Sequence, residues 1–195
     1  RDAEMTVVRN EFERGENSPF QALNLAIWAA AFQAHPYHHS TIGWKSDIEG
    51  VPIEKLREFY DTFYWPNNAT VTVIGDFDTN NALELIKKYY GQISSSPEEI
   101  PDLYTTEPEQ QGIRRVEVHR SGQLGVVGIA HKVPEGLNED TYPLVLLDYI
   151  LANGKSSRFY KALVDQNKAV DIFNFYVPFH DASLFTPYVF LAPGA

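Results

Sequence analysis

Residues 2–12 read Asp-Ala-Glu-Met-Thr-Val-Val-Arg-Asn-Glu-Phe, and this stretch decides how the whole sequence is interpreted. Glu4 and Glu11 lie seven residues apart, so two helical turns place both carboxylates on nearly the same stripe. A metal site or a proton-transfer site can use such a pair. On this pattern alone the stronger interpretation is a solvated face, because acidic chains expose many Glu residues. The helix itself is predicted by apolar residues at helical spacing, namely Met5, Val8 and Phe12.

Composition limits the classes of protein to which this chain can belong. With 195 residues, 44% hydrophobic, it is long enough to bury a core. The net charge of -10 and the absence of a concentrated Lys/Arg tract argue against nucleic acid or anionic membrane as the main partner. Without cysteine, any transition metal must be bound by His, Asp or Glu. No apolar run is long enough to predict a membrane span, and the missing initiator Met suggests a piece of a longer chain.

Residues 1–95 are expected to form a helical part that ends in a strand and a helix. The pattern predicts helices at 2–14, from Asn17 or Ser18 to about His35, at 53–64 and at 81–90, a loop over 36–50, and a strand at 69–74. Residues 96–112 are rich in Ser, Pro, Glu and Gln, which predicts a linker.

Residues 113–195 are expected to form a second part, made of a sheet and a helix pair. Strands are predicted at 114–119, 123–131, 170–179 and 183–191, with helices at 140–152 and 157–166. Short turns between neighbouring strands favour an α+β fold with a largely antiparallel sheet packed against helices over a doubly wound parallel sheet. Together the two parts are expected to be one incomplete domain of a larger chain.

Several short motifs, in a constant order along the chain, resemble those of the pitrilysin/insulinase-type zinc peptidases, a family that also includes mitochondrial processing peptidase. The helix at 2–12 resembles the family helix that follows an inverted H-x-x-E-H motif. The other matching segments are His35-Pro36-Tyr37, Ile42-Gly43-Trp44, Asp47-Ile48, Phe59-Tyr60, Tyr64-Trp65-Pro66-Asn67-Asn68-Ala69, Val73-Ile74-Gly75-Asp76-Phe77 and Gly154-Lys155-Ser156-Ser157-Arg158-Phe159-Tyr160. The resemblance implies the end of the N-terminal part and most of the C-terminal part of one peptidase domain.

The resemblance implies a role for each carboxylate of the first helix. Glu11 matches the family's third protein ligand to Zn²⁺, and Glu4 matches a companion Glu that supports activity. The family's general base is the Glu of H-x-x-E-H, and none of the six histidines begins that sequence here. The implied function is therefore a fragment of a zinc-dependent metalloendopeptidase that is inactive alone and does not retain zinc.

Two interpretations of the parent protein stay open. In the first, the histidines and the base come from the remaining half-domain of the parent chain or from a paired subunit. In the second, the domain is a degenerate, non-catalytic module that binds substrate or closes a chamber with an active partner. Both imply a peptide or protein substrate, which strands around 116–127 are expected to hold by edge pairing. Periplasm and cytoplasm of a bacterium are equally compatible with the sequence.

Two further clusters are interpreted as structural. His35, His38 and His39 are dense enough to suggest a metal site, but Pro36 and the residues after it predict a loop without a converging carboxylate. Ser156 or Ser157 is expected to cap a helix, because no nucleophile motif surrounds either serine.

Overall fold

The computed structural model describes residues 2–122 and 124–194, which fall into two compact units. The first unit comprises residues 1–9 and 44–104, and the second comprises residues 10–43 and 105–195. Helix α1 (Asp2–Glu16) belongs to both, since the division falls within it. The helix confirms the periodicity of residues 2–12 and continues past Gly15 to Glu16.

Helices dominate the first unit. They are α3 (Lys45–Gly50), α4 (Ile53–Phe63) and α5 (Thr79–Tyr90), with a short 3-10 turn over Pro66–Asn68. Helix α5 begins where the Asp78 carboxylate accepts a hydrogen bond from the Asn81 N–H at 2.8 Å. Helix α3 lies within residues 36–50, where the sequence predicts only a loop. It spans six residues, too few to produce a clear helical periodicity.

The strand predicted at 69–74 is not formed among the described residues. These residues are exposed, with Ile74 91% exposed, and no neighbouring strand is hydrogen-bonded to them. The prediction failed because β-branched residues favour an extended backbone, whereas a strand also needs a partner for its N–H and C=O groups.

The second unit contains helix α2 (Pro19–Ala31), helix α6 (Thr141–Leu151) and a four-stranded sheet. Its strands are β1 (Val126–Gly128), β2 (His131–Val133), β3 (Ala169–Tyr176) and β4 (Ser183–Leu191). All pairings are antiparallel and all involve β4, with β3 along one side and β1 followed by β2 along the other. The predicted α+β class with a largely antiparallel sheet is confirmed.

Helix α2 packs on one face of this sheet and forms the core of the second unit. The buried side chains are Ile27, Trp28 and Phe32 from the α2 region with Leu184 and Tyr188 from β4. The Tyr188 hydroxyl donates to the Asn24 Oδ1 atom at 2.7 Å, and burial raises the pKa of Tyr188 to about 12. Because the two β4 residues are four apart, strand alternation directs both toward α2.

Four other expectations for this unit differ from the structure. The strand predicted at 114–119 makes no ladder, and the one predicted at 123–131 is reduced to β1 and β2, with Gln123 outside the described residues. The helix predicted at 157–166 is formed over the shorter range 158–164, and it is π-helical over Tyr160–Val164. The Ser157 hydroxyl caps no helix, since it is buried without a hydrogen-bond partner among the described residues.

Within the described residues no helix combines the length and the apolar character needed to cross a bilayer.

Candidate functional site

Helix α1 carries both glutamates that the sequence singles out, and both are exposed. Glu4 and Glu11 are seven residues apart on one continuous helix of 15 residues. At 1.5 Å per residue, two turns separate their Cα atoms by about 10 Å along the axis. A zinc ion lies about 2 Å from each oxygen that binds it. If one of these two carboxylates binds zinc, the other, two turns away, can affect the ion only at longer range.

A small cavity of about 270 Å³ lies between α1 and α3 in the first unit. Its described lining residues are Met5, Thr6, Arg9, Ile48 and Glu49. This lining combines apolar groups with one cation and one carboxylate, and neither Glu4 nor Glu11 belongs to it. The cavity therefore adds no second ligand to the acidic helix.

The part of the chain that the structure describes does not by itself build a zinc site. Over residues 2–122 and 124–194, no group of three or more His, Asp or Glu side chains is arranged to hold a metal ion. A hydrolytic zinc site needs three protein ligands. Glu11 is an accessible carboxylate of the right chemistry, and it can supply one of the three.

The three clustered histidines make local hydrogen bonds instead of converging. The His35 Nδ1 atom accepts from the Tyr37 N–H at 3.2 Å, which caps the 3-10 turn at Pro36–His38. His38 Nδ1 donates to the His35 carbonyl at 2.9 Å, and His39 Nδ1 donates to the Ser40 carbonyl at 3.0 Å. One nitrogen of each ring is thereby used within the turn, which agrees with a structural role.

Asp181 connects this turn to the loop between β3 and β4. Its carboxylate lies 3.4 Å from His35 Nε2 and 3.3 Å from His180 Nδ1. Its backbone N–H donates to the Tyr37 hydroxyl at 3.3 Å. His35 is 6% exposed, so these contacts place a buried imidazole against a carboxylate that holds two segments together.

Glu107 is bound by four hydrogen-bond donors, although the sequence predicts only a linker there. It accepts hydrogen bonds from the backbone N–H groups of Gln33, Ala34 and His35 at 2.8 to 3.0 Å, and Lys132 Nζ lies 3.0 Å away. Burial acts to raise the pKa of Glu107, but these hydrogen bonds outweigh it and lower the pKa to about 2. No local signal indicates this role, since the partners are 25 to 74 residues distant in sequence.

A groove of about 1010 Å³ lies in the second unit. Its lining includes Leu23, Ile27 and Ala30 of α2, residues 113–120 and the segment that contains β1.

Comparisons with known proteins agree with this architecture. The family model described as "Peptidase M16 inactive domain" matches residues 50–195. A zinc protease PqqE of Helicobacter pylori is 34% identical over 184 residues, which cover 93% of this chain. The chain belongs to the M16 peptidase family. The resemblance to pitrilysin/insulinase-type peptidases is therefore confirmed.

Solved structures of M16 proteins share the fold. A crystal structure of a protease from Helicobacter pylori superimposes with a TM-score of 0.92 at 32% identity, over 98% of this chain and 47% of that one. A peptidase M16 inactive domain from Pseudomonas fluorescens gives a TM-score of 0.81 at 15% identity, over 98% of this chain and 47% of that one, and supports the fold alone.

The M16 chain spans less than half the length of these relatives. It covers 41% of the Helicobacter pylori zinc protease PqqE. A mitochondrial presequence protease of Drosophila melanogaster, 26% identical over 83% of this chain, is covered to 16%. In these relatives, the residues equivalent to this chain are joined to further sequence.

Proposed function

We propose that this chain is part of a zinc-dependent metalloendopeptidase, in which Glu11 supplies one zinc ligand and Glu4 a supporting carboxylate. The observation that carries the proposal is 34% identity, over 93% of the chain, to a protein named as a zinc protease. The exposure of Glu11 supports the proposal, because its carboxylate is accessible to a zinc ion whose other ligands come from another segment.

The remaining ligands and the general base would come from a peptidase half-domain outside residues 1–195. Zinc in a hydrolytic site takes three protein ligands, and a single exposed carboxylate cannot hold the ion against water. Under this proposal the peptide or protein substrate meets a site that two half-domains complete. The division into a helical part at 1–95, a linker at 96–112 and a second part at 113–195 belongs to the same proposal.

The test uses the protein that contains the complete parent chain, purified and analysed for zinc by mass spectrometry. Glu11→Gln is expected to lose the zinc and the peptidase activity together. Glu4→Gln is expected to keep the zinc and to lower turnover, because a carboxylate two turns away acts on the site without binding the ion. Glu16→Gln, an exposed glutamate at the end of the same helix, is the matched control and should change neither. Full zinc occupancy in Glu11→Gln would refute the assignment of Glu11.

A second candidate function is a non-catalytic peptidase-like module. It is favoured by the description of the matched family as an inactive domain and by the absence of a metal-binding group over residues 2–122 and 124–194. In this case Glu4 and Glu11 lie on a solvated face, and the parent domain binds substrate or closes a chamber. The zinc content of the unmutated parent distinguishes the two functions, since the module would bind no stoichiometric zinc.

A further inference from the structure

Three successive backbone N–H groups that follow α2 converge on one carboxylate. The N–H groups of Gln33, Ala34 and His35 all donate to Glu107, at 2.8 to 3.0 Å. The Lys132 Nζ atom donates to the same carboxylate at 3.0 Å. Successive N–H groups that point into one concavity bind anions in many proteins. Four donors, one of them positively charged, therefore surround a single position at which an anion is stabilised.

The backbone on both sides of these donors is held by contacts that do not involve Glu107. Before them, the Arg114 guanidinium donates to the carbonyls of the last two residues of α2, at 2.7 and 3.0 Å. After them, the Tyr37 N–H donates to His35 Nδ1 at 3.2 Å, and the Tyr37 hydroxyl accepts from the Asp181 N–H at 3.3 Å. The three N–H groups are therefore expected to keep their direction when the Glu107 carboxylate is removed.

Lys132 is also positioned by contacts other than the one with Glu107. It lies on β2 opposite Leu184, a buried residue of β4. Its Nζ atom lies 4.9 Å from the centre of the Phe32 ring, which is part of the core. The face of an aromatic ring attracts a cation at this distance. The positive charge of the site is thus held by the sheet and the core, neither of which belongs to the segment around Glu107.

Glu107, in contrast, belongs to a segment without secondary structure, since residues 101–111 contain no helix or strand. The site lies near the surface: Gln33 and Ala34 are exposed, and 26% of the Lys132 side chain is exposed. Burial acts to raise the pKa of Glu107, yet the four donors lower it to about 2. The site therefore binds the charged carboxylate in preference to the neutral acid.

We propose that the N–H groups of residues 33–35 and the Lys132 Nζ atom form a binding site for a small carboxylate anion, in which Glu107 is the ligand that the chain itself supplies. The site is filled in the unmutated protein, because a tethered carboxylate is present at a high effective concentration. When the Glu107 side chain is withdrawn, the same donors bind a free monocarboxylate from solution. This inference goes beyond the proposed function and requires neither zinc nor Glu11.

The experiment measures the melting temperature of the Glu107→Ala variant of the 195-residue chain at pH 7, with chelator present. Sodium acetate is compared with sodium chloride at the same ionic strength. Acetate is the probe because the substitution removes one carbon and the carboxylate beyond Cβ, which are the atoms of acetate. Acetate at about ten times its dissociation constant is expected to raise the melting temperature by about 3 to 6 °C. If the variant does not fold in chloride, acetate is expected to restore a cooperative unfolding transition.

Glu107→Gln is the matched control, because its amide fills the same space without a charge and so blocks the site. Its melting temperature is expected to be equal in acetate and chloride. The unmutated chain should also show no difference between the two salts, since its own carboxylate occupies the site.

A second measurement identifies the donors. In the Glu107→Ala variant, acetate is expected to shift the amide NMR signals of residues 33–35, and the titration gives the dissociation constant. Adding Lys132→Met is expected to weaken acetate binding about tenfold, because a charged hydrogen-bond donor is lost. Adding Lys161→Met instead, which removes an exposed cation of the same unit, should leave the affinity unchanged.

Three results would overturn the proposal. These are an equal effect of acetate and chloride on Glu107→Ala, an acetate effect in Glu107→Gln as large as that in Glu107→Ala, and acetate affinity that Lys132→Met does not change. Since chelator is present throughout, each of these results leaves the zinc proposal as it stands.

Discussion

At the scale of single residues, Glu107 shows how one carboxylate can order a segment that has no secondary structure. Its three backbone donors lie in the turn after α2, and Lys132 belongs to β2. The lowered pKa means that folding favours the ionised form. The ionised Glu107 carboxylate therefore contributes its full stabilisation above a pH of about 4.5. This stabilisation is lost as the pH falls toward about 2.

Replacing Glu107 by Gln is expected to lower the free energy of unfolding by about 3 kcal/mol at pH 7, the size that corresponds to this change in pKa. The difference between the two proteins should narrow as the pH falls from about 4.5 to about 2, because the native carboxyl group then also becomes neutral. Urea denaturation at several pH values measures both effects. Glu109→Gln, an exposed neighbour, is the control, and a difference that does not change with pH would contradict the role given to the charge.

Gly128 is a second residue whose importance comes from packing. A Cβ atom added there would lie 2.7 Å from Ile27 Cδ1 and 2.8 Å from Tyr188 Cε1, at the contact between α2 and the sheet. Gly128→Ala is expected to destabilise the protein by about 1 to 3 kcal/mol, the usual cost of overpacking a core. Thermal denaturation measures this, with Gly122→Ala as the control, since a Cβ atom added there has no contact within 4 Å beyond its chain neighbours. Equal melting temperatures for the two variants would show that the core accommodates the added methyl group without loss of stability.

At the scale of secondary-structure elements, helices agree with their sequence patterns better than strands do. Helices α2, α4, α5 and α6 all begin and end within a few residues of the predicted limits. Their hydrogen bonds are internal, so a local pattern contains most of the necessary information. Strands β3 and β4 also form as predicted, since a short connection places them side by side.

Two segments that are predicted as strands but have no strand partner, residues 69–74 and 114–119, lead to a prediction about hydrogen exchange. Amide groups of residues 69–74 and 114–119 are expected to exchange at rates near those of an unfolded chain, because they are not part of any ladder among the described residues. Strand β4, paired along both sides, should exchange slowly and serves as the internal reference. Exchange followed by mass spectrometry on the 195-residue chain gives the comparison. Protection of 114–119 equal to that of β4 would indicate that the predicted hairpin forms in solution.

At the scale of the whole molecule, the outstanding feature is the amount of apolar surface that stays exposed. In the first unit, Phe59, Tyr60 and Tyr64 on and after α4 are each more than half exposed, as is Tyr89 on α5. In the second unit, Tyr142 and Leu146 on α6 are 78% and 64% exposed. Exposed patches of this kind mark surfaces that another segment covers, which agrees with the coverage of only 41% of the relative PqqE.

The 195-residue chain by itself is expected neither to retain zinc nor to hydrolyse peptides. Glu11 alone cannot compete with water for the ion, and the chain contains no H-x-x-E-H sequence to supply a base. Metal analysis after dialysis and a quenched-fluorescence peptide assay measure the two properties, with the parent protein as positive control. Turnover by the isolated chain that a chelator abolishes would contradict this expectation and would require a different ligand set.

The sequence by itself determined helices α1, α2, α4, α5 and α6, the β3–β4 pair, the α+β class and the family, because each rests on short-range periodicity or on motifs that keep their order. It also singled out Glu4 and Glu11 as site candidates, through the family resemblance of residues 2–12 together with their seven-residue spacing, and their roles stay predictions. Only the tertiary structure decided the role of Glu107 and the groove lined by Arg115 and Arg120. It also left residues 69–74 and 114–119 without strand partners. These features depend on which distant segments meet, and a pattern confined to neighbouring residues carries no information about that.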